Sequence, residues 1–284
     1  MNQYLFYDDL DDNFEGFLPN VKRLVIPEFS IGNQKFESEN EYGQWYHKKF
    51  PENIYVNYLI KNNGFDQYFG GMSISEIKNL TNIVEEGEVK SIVFDWDRTL
   101  SICEGFLQIG PLSNTINISI DVIIENLVPY ILGDEERISI LSELFSVLQK
   151  KGVRIFILTN NREKYFQKIL SEAFRILNVP SINVRLVQQP VNTRKYIIKS
   201  RLLQTEISKM EIDNSEKNEL MQGYFGKDYD NSRTKLSSPI ALLRTSSLKN
   251  GKKQKPYPTS RKTTKNKQTS RKRTRKIYVQ QKTF

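Results

Sequence analysis

A chain of 284 residues can bury one good-sized core and a small second unit, and 38% hydrophobic with 11% aromatic residues gives it the means to do so. One cysteine, Cys103, excludes an intramolecular disulfide framework and paired-cysteine zinc sites, and one histidine, His47, excludes a histidine-built metal centre. The net charge of +9 is unevenly spread: after Asp230 there are 17 Lys or Arg and no Asp or Glu. Taking those 17 from the 42 basic residues of the chain leaves 25 against 33 acidic ones, so residues 1–230 carry a net charge of −8.

In chain order, the start Met1-Asn-Gln-Tyr-Leu-Phe, followed by Asp8, Asp9, Asp11 and Asp12, lacks the basic and apolar parts of a signal peptide. No apolar run approaches the roughly 18 residues of a spanning helix. These features lead us to expect a soluble, intracellular protein. Residues 1–87 show turn signals at Asn63-Gly64 and Gly70-Gly71 but no clear period. They are assigned as an N-terminal accessory region, with short strands or helical turns at Val21–Ile26 and Ile54–Ile60.

Residues 88–230 form the expected α/β core. Ile92-Val93-Phe94 is a buried-type strand running into Asp95 and Asp97. Positions i and i+2 of an extended chain share a side, so the two carboxylates project together from a strand's carboxyl end, where open α/β sheets bind ligands. Such a pair repels unless a cation intervenes, and all-oxygen ligation suits Mg²⁺. Within 101–133, Ile116, Ile118 and Ile120 alternate with polar residues as a half-buried strand or hairpin, and Ile123, Leu127 and Ile131 continue as a helix.

Asp134 is placed to cap a helix through Leu148, with Gly152 as its stop. A second buried strand, Val153–Leu158, ends in Thr159-Asn160-Asn161. A helix through Phe166 and Leu177, a third strand over Ile182–Val187 and a helix over Thr193–Gln204 follow. Strands alternating with helices imply a Rossmann-like parallel sheet. The tail, 231–284, is assigned as disordered because its Lys, Arg, Ser, Thr and Asn cannot bury enough apolar surface. Its basic stretch 249–276, with Arg271–Lys276 as the densest run, reads as a nucleic-acid-binding arm or a nuclear address.

The strand with Asp-x-Asp-x-Thr-Leu, then the helix–strand unit ending in Thr-Asn, resembles the first two motifs of the haloacid dehalogenase (HAD)-like superfamily, over roughly 89–203. The resemblance implies a Mg²⁺-dependent phosphatase with a small cap or flap at 101–133. Asp95 is then the nucleophile forming an aspartyl-phosphate, and Asp97 the general acid and base. Thr159 holds a phosphoryl oxygen, and the cation sits on Asp95 and the backbone carbonyl of Asp97. Lys195, nearer its helix start, is assigned as the catalytic lysine, with Thr99, Asn160 and Lys199 beside the substrate.

A small cap suits a large substrate, such as a phosphoprotein or a nucleic-acid end. The family also carries a fourth strand ending in acidic residues, and none stands out: Asp213, Asp228 and Asp230 follow no apolar run. A degenerate, non-catalytic scaffold that binds nucleic acid through its tail is therefore the alternative. The Lys/Asn/Ile-rich composition and basic tail are also similar to proteins of large DNA viruses, which adds the nucleus and the virion as expected locations.

Overall fold

The computed structural model describes residues 3–26, 28–31, 34–49, 69–103, 109–180, 184–191 and 196–229; the tail assignment, Lys195 and the 54–60 segment lie outside them. Its centre is a five-stranded, all-parallel sheet. The strands are β1 (Gln3–Asp8), β2 (Lys22–Leu24), β5 (Val89–Phe94), β6 (Arg154–Thr159) and β7 (Val184–Gln188), in the order β2-β1-β5-β6-β7. A short antiparallel hairpin, β3 (Ser30–Ile31) with β4 (Gln34–Lys35), stands apart from it.

Two apolar layers follow from the alternation of strand side chains. Leu5, Tyr7, Ile92, Phe94, Ile155 and Ile157 face one side. There they meet Leu80 of α2 (Ile74–Glu86), Leu144 of α5 (Glu135–Lys150) and Ile169 of α6 (Phe166–Ile176). Tyr4, Phe6, Val93, Phe156 and Leu158 face the other side, against α7 (Lys199–Lys209) and α8 (Asn214–Phe225) through Leu203, Ile207 and Tyr224. Helices thus cover both faces of the parallel sheet, as a buried parallel sheet requires.

Local signals account for much of this. Asp134 accepts from the Arg137 amide at 2.9 Å and caps α5, and Gly152, at φ 66°, ends the connection into β6. Ser73 and Glu76 form a reciprocal capping box on α2.

Three expectations change. The start of the accessory region 1–87 belongs to the central sheet: β1 pairs with β5 in parallel, Tyr7 opposite Phe94. The half-buried strand or hairpin at 116–120 is two helices, α3 (Ile109–Ile116) and α4 (Ile120–Leu132). Asn117 takes a left-handed φ of 52° between them and Ser119 caps α4, so the alternating isoleucines mark a helix stop and restart. The last predicted helix begins later, at Lys199 rather than Thr193, in α7.

Candidate active site

The carboxyl ends of β1 and β5 lie side by side. The Asp95 amide donates to the Tyr7 carbonyl at 2.8 Å, which extends the ladder one step beyond the strand and brings Asp8 abreast of Asp95. Continuing the alternation, Asp8 shares its face with Phe6, and Asp95 shares its face with Val93, so both point toward α7. The first residue of α7 is Lys199. Its ammonium is buried between them, donating to Asp8 Oδ2 at 2.5 Å and to Asp95 Oδ1.

Asp8 Oδ1 accepts from Asn13 Nδ2 at 2.8 Å and from the Leu10 amide at 2.9 Å, which fixes its orientation. Asp8, Asp9 and Asp95 each present a carboxylate oxygen within 4.8 Å of the others and could hold a metal ion.

The electrostatics are those of a crowded, dry site. Burial drives the Asp95 carboxyl well above the usual range; Lys199 pulls it back, while Asp8 and Asp97 push it further up. Asp9 is raised to about 6, first by burial and then by Asp8, with Arg98 and Lys199 opposing. Burial disfavours the Lys199 charge, but Asp95 and Asp8 outweigh it and hold the ammonium above its ordinary value. With both carboxylates ionised, one ammonium leaves negative charge uncompensated, which a bound cation would relieve.

Beyond Asp95 the chain turns at once. Trp96–Leu100 form a wide turn closed by the Ser101 amide on the Trp96 carbonyl at 2.9 Å, with Arg98 at φ 57° and ψ 18°. A non-glycine residue in that left-handed region costs about 1 kcal/mol or more, so the surroundings must hold the turn. Buried Arg137 does so, donating to the Leu100 carbonyl at 2.9 Å, the Thr99 carbonyl at 3.2 Å and the Met72 carbonyl at 3.1 Å. On the outer side Arg98 pairs with Glu39 of α1 (Glu39–Lys48) at 2.8 Å.

The turn changes the expected side-by-side projection of the Asp95 and Asp97 carboxylates. Because β5 ends at Phe94, the i and i+2 relation of an extended chain does not carry from Asp95 to Asp97, and the Asp97 carboxylate lies outside the acidic trio. It instead accepts a long hydrogen bond from the Thr159 hydroxyl, at 3.4 Å. Thr159, at the end of β6, also accepts from the Asn161 amide at 3.0 Å. Asp95, Asp97, Thr159 and Lys199 are therefore brought together.

Thr99 is not brought to the site. It is fully buried, and its carbonyl rather than its hydroxyl is engaged, by Arg137 and by the Met72 amide. Asn160 sits half-buried at the rim. The lysine that meets the Asp95 carboxylate is Lys199, whereas the residue favoured from sequence, Lys195, lies outside the described residues.

Sequence reasoning missed Asp8 and Asp9. The signal was present: Tyr4-Leu-Phe-Tyr is an apolar run ending in two acids, the same pattern as Ile92-Val93-Phe94-Asp95. The carboxylates that approach Asp95 come from the start of the chain. Among the described residues no helix is long and apolar enough to cross a membrane. No family model, curated protein or solved structure matches the chain.

Proposed function

We propose that the chain is a Mg²⁺-dependent phosphomonoester phosphatase of the HAD type that works through an aspartyl-phosphate on Asp95. The observation that carries this reading is the buried Asp8–Lys199–Asp95 contact at the carboxyl ends of adjacent parallel strands. Nothing about stability calls for it: buried charge pairs seldom outperform apolar packing, whereas perturbed titrating groups cluster where chemistry is done.

The resemblance expects a fourth strand ending in acidic residues. β1 runs into Asp8 and Asp9 beside β5 but comes first in the chain, so the reading is of a core whose strands are reordered along the sequence. Asp8 and Asp9 supply the carboxylates whose apparent lack favoured a non-catalytic scaffold, and they support the enzyme over that alternative.

In this mechanism Asp95 attacks phosphorus and the bond to the leaving oxygen breaks, while Asp97 donates a proton to that oxygen. Asp97 then takes a proton from water, which attacks the aspartyl-phosphate, releasing inorganic phosphate and restoring Asp95. Lys199 opposes the burial that raises the Asp95 carboxyl, favouring the carboxylate that attacks, and faces the incoming negative charge, and the Thr159 hydroxyl is available to a phosphoryl oxygen. The all-oxygen set Asp8, Asp9 and Asp95 suits Mg²⁺, which supplies positive charge against the phosphoryl oxygens when bound.

The substrate we favour is a phosphorylated macromolecule, with the basic stretch 249–276 available for nucleic acid. The test is phosphate release from p-nitrophenyl phosphate with and without Mg²⁺. Turnover that requires Mg²⁺ and disappears in Asp95→Asn is expected; equal release by wild type and Asp95→Asn would overturn the reading.

A further inference from the structure

Three segments that follow strand ends converge beside Asp8: Asn13 after β1, Asn160 after β6 and Tyr196 after β7. Asn13 Oδ1 faces both Asn160 Nδ2 at 3.4 Å and the Tyr196 hydroxyl at 3.5 Å, and Asn160 Nδ2 also reaches the Tyr196 oxygen at 3.3 Å. These contacts are long and weak, so the groups keep hydrogen-bonding capacity for a better partner. Behind them Gln189 donates to Asn160 Oδ1 at 3.3 Å, and its own Oε1 is buried without a hydrogen bond.

Tyr196 is 51% exposed and is the sole exposed aromatic side chain among the described residues; the rest of the aromatic complement is packed inside or half-buried. Its place is at the mouth of the candidate site, since Asn13, which it contacts, holds Asp8. The three side chains in contact are two carboxamides and a phenol, none of them charged. An exposed ring flanked by two carboxamides matches a nucleobase, which offers a face to stack and donor and acceptor edges to pair.

We propose that Tyr196, Asn160 and Asn13 form a leaving-group subsite for a nucleoside, so that the substrate is the phosphorylated end of a nucleic acid. This rests on the phosphatase reading above. The body's net charge of −8 repels a polyanion, and the 17 cations after Asp230, with no acid among them, supply the backbone attraction that residues 1–230 lack. Tyr196 stacks on the terminal base while the amides face its edge, and the terminal phosphate reaches Asp95.

The experiment compares kcat/KM of the full chain for a terminally phosphorylated oligonucleotide, a phosphorylated peptide and acetyl phosphate, in wild type, Tyr196→Ala and Tyr196→Phe. Loss of one stacked base predicts that Tyr196→Ala lowers the oligonucleotide-to-acetyl-phosphate ratio by about tenfold or more, mostly through KM. Tyr196→Phe keeps most of the ratio because it keeps the ring. An unchanged ratio in Tyr196→Ala, or a wild type that prefers the phosphopeptide, overturns the nucleoside subsite and leaves the phosphatase standing. Failure of wild type to hydrolyse even acetyl phosphate overturns both.

Discussion

The two ends of the sheet differ in how they treat charge. At the amino end, a pocket of about 510 Å³ is lined by Tyr4, Lys90, Arg154, Arg185, Glu216 and Glu219, among others. Several of these groups are paired: Arg154 with Glu216, Arg185 with Glu206 at 2.5 Å, and Tyr4 donates to Glu219 at 3.0 Å. At the carboxyl end Lys199, Asp8 and Asp95 are all but removed from solvent and crowded together. The amino end thus carries partly exposed ion pairs, whereas the carboxyl end carries buried charges packed against one another, the kind of perturbed cluster that is often found where chemistry is done.

That contrast can be broken in several ways. The largest effect is expected at Lys199. Lys199→Met leaves two buried carboxylates unpaired and costs about 3–5 kcal/mol of unfolding free energy by denaturant titration, along with all turnover. A cost under about 1 kcal/mol would mean that the triad is solvated and the contrast false.

Asp97→Asn should lower kcat by about 10²–10⁴-fold, with KM little changed, and remove the limb of the pH–rate profile that belongs to the acid. Retained activity would move the proton-transfer role elsewhere.

Cation binding sharpens the comparison through stability. Mg²⁺ at about 100 times its Kd should stabilise the protein by about 2.7 kcal/mol, read as a rise of several degrees in the thermal midpoint. Asp9→Asn should remove most of that rise. Because Asp9 is raised to about 6 in the fold and is ordinarily near 4, folding takes up a proton between those values. Its contribution to metal-free stability is therefore fully present below about pH 4 and is lost as pH rises through about 6. The wild-type midpoint should fall relative to Asp9→Asn across that window, and Mg²⁺ should reverse the fall above it. A difference that is flat with pH would place Asp9 in solvent.

The smallest effect belongs to the amino end. Glu216→Gln, which breaks a partly exposed pair with Arg154, should cost under about 1 kcal/mol and leave turnover unchanged.

How much of this could be read from sequence depended on whether a signal was local. Asp134 with Glu135 and Glu136, then apolar residues at helical spacing and Gly152, gave α5 and its ends, because caps act on their own helix. β5 and β6 were legible as apolar runs between polar breaks, since a parallel strand is buried on both faces.

The pairing of β1 with β5 was not legible. It joins residues more than 80 positions apart, and no local feature of Tyr4–Tyr7 states which strand it will meet. Asp8 and Asp9 went unrecognised for that reason, although their own pattern matched that of Asp95. Lys195 and Lys199 could not be separated from sequence either. Which lysine faces Asp95 depends on where α7 begins, and its first residue carries no side-chain cap to mark it: Ile198 precedes Lys199 without a capping hydrogen bond. The alternating Ile116, Ile118 and Ile120 misled because a helix stop and restart puts all three against one core, as a strand would.

The central claim is that Asp95 becomes covalently phosphorylated. The most direct measurement is mass spectrometry of acid-quenched Asp97→Asn after mixing with acetyl phosphate and Mg²⁺. The leaving group of that substrate needs little help from an acid, whereas hydrolysis of the intermediate needs the base. The account predicts one added phosphoryl group on the peptide containing Asp95, absent when Asp95→Asn is combined with Asp97→Asn. Phosphate release by wild type with no adduct in Asp97→Asn, or an adduct that persists without Asp95, would contradict it.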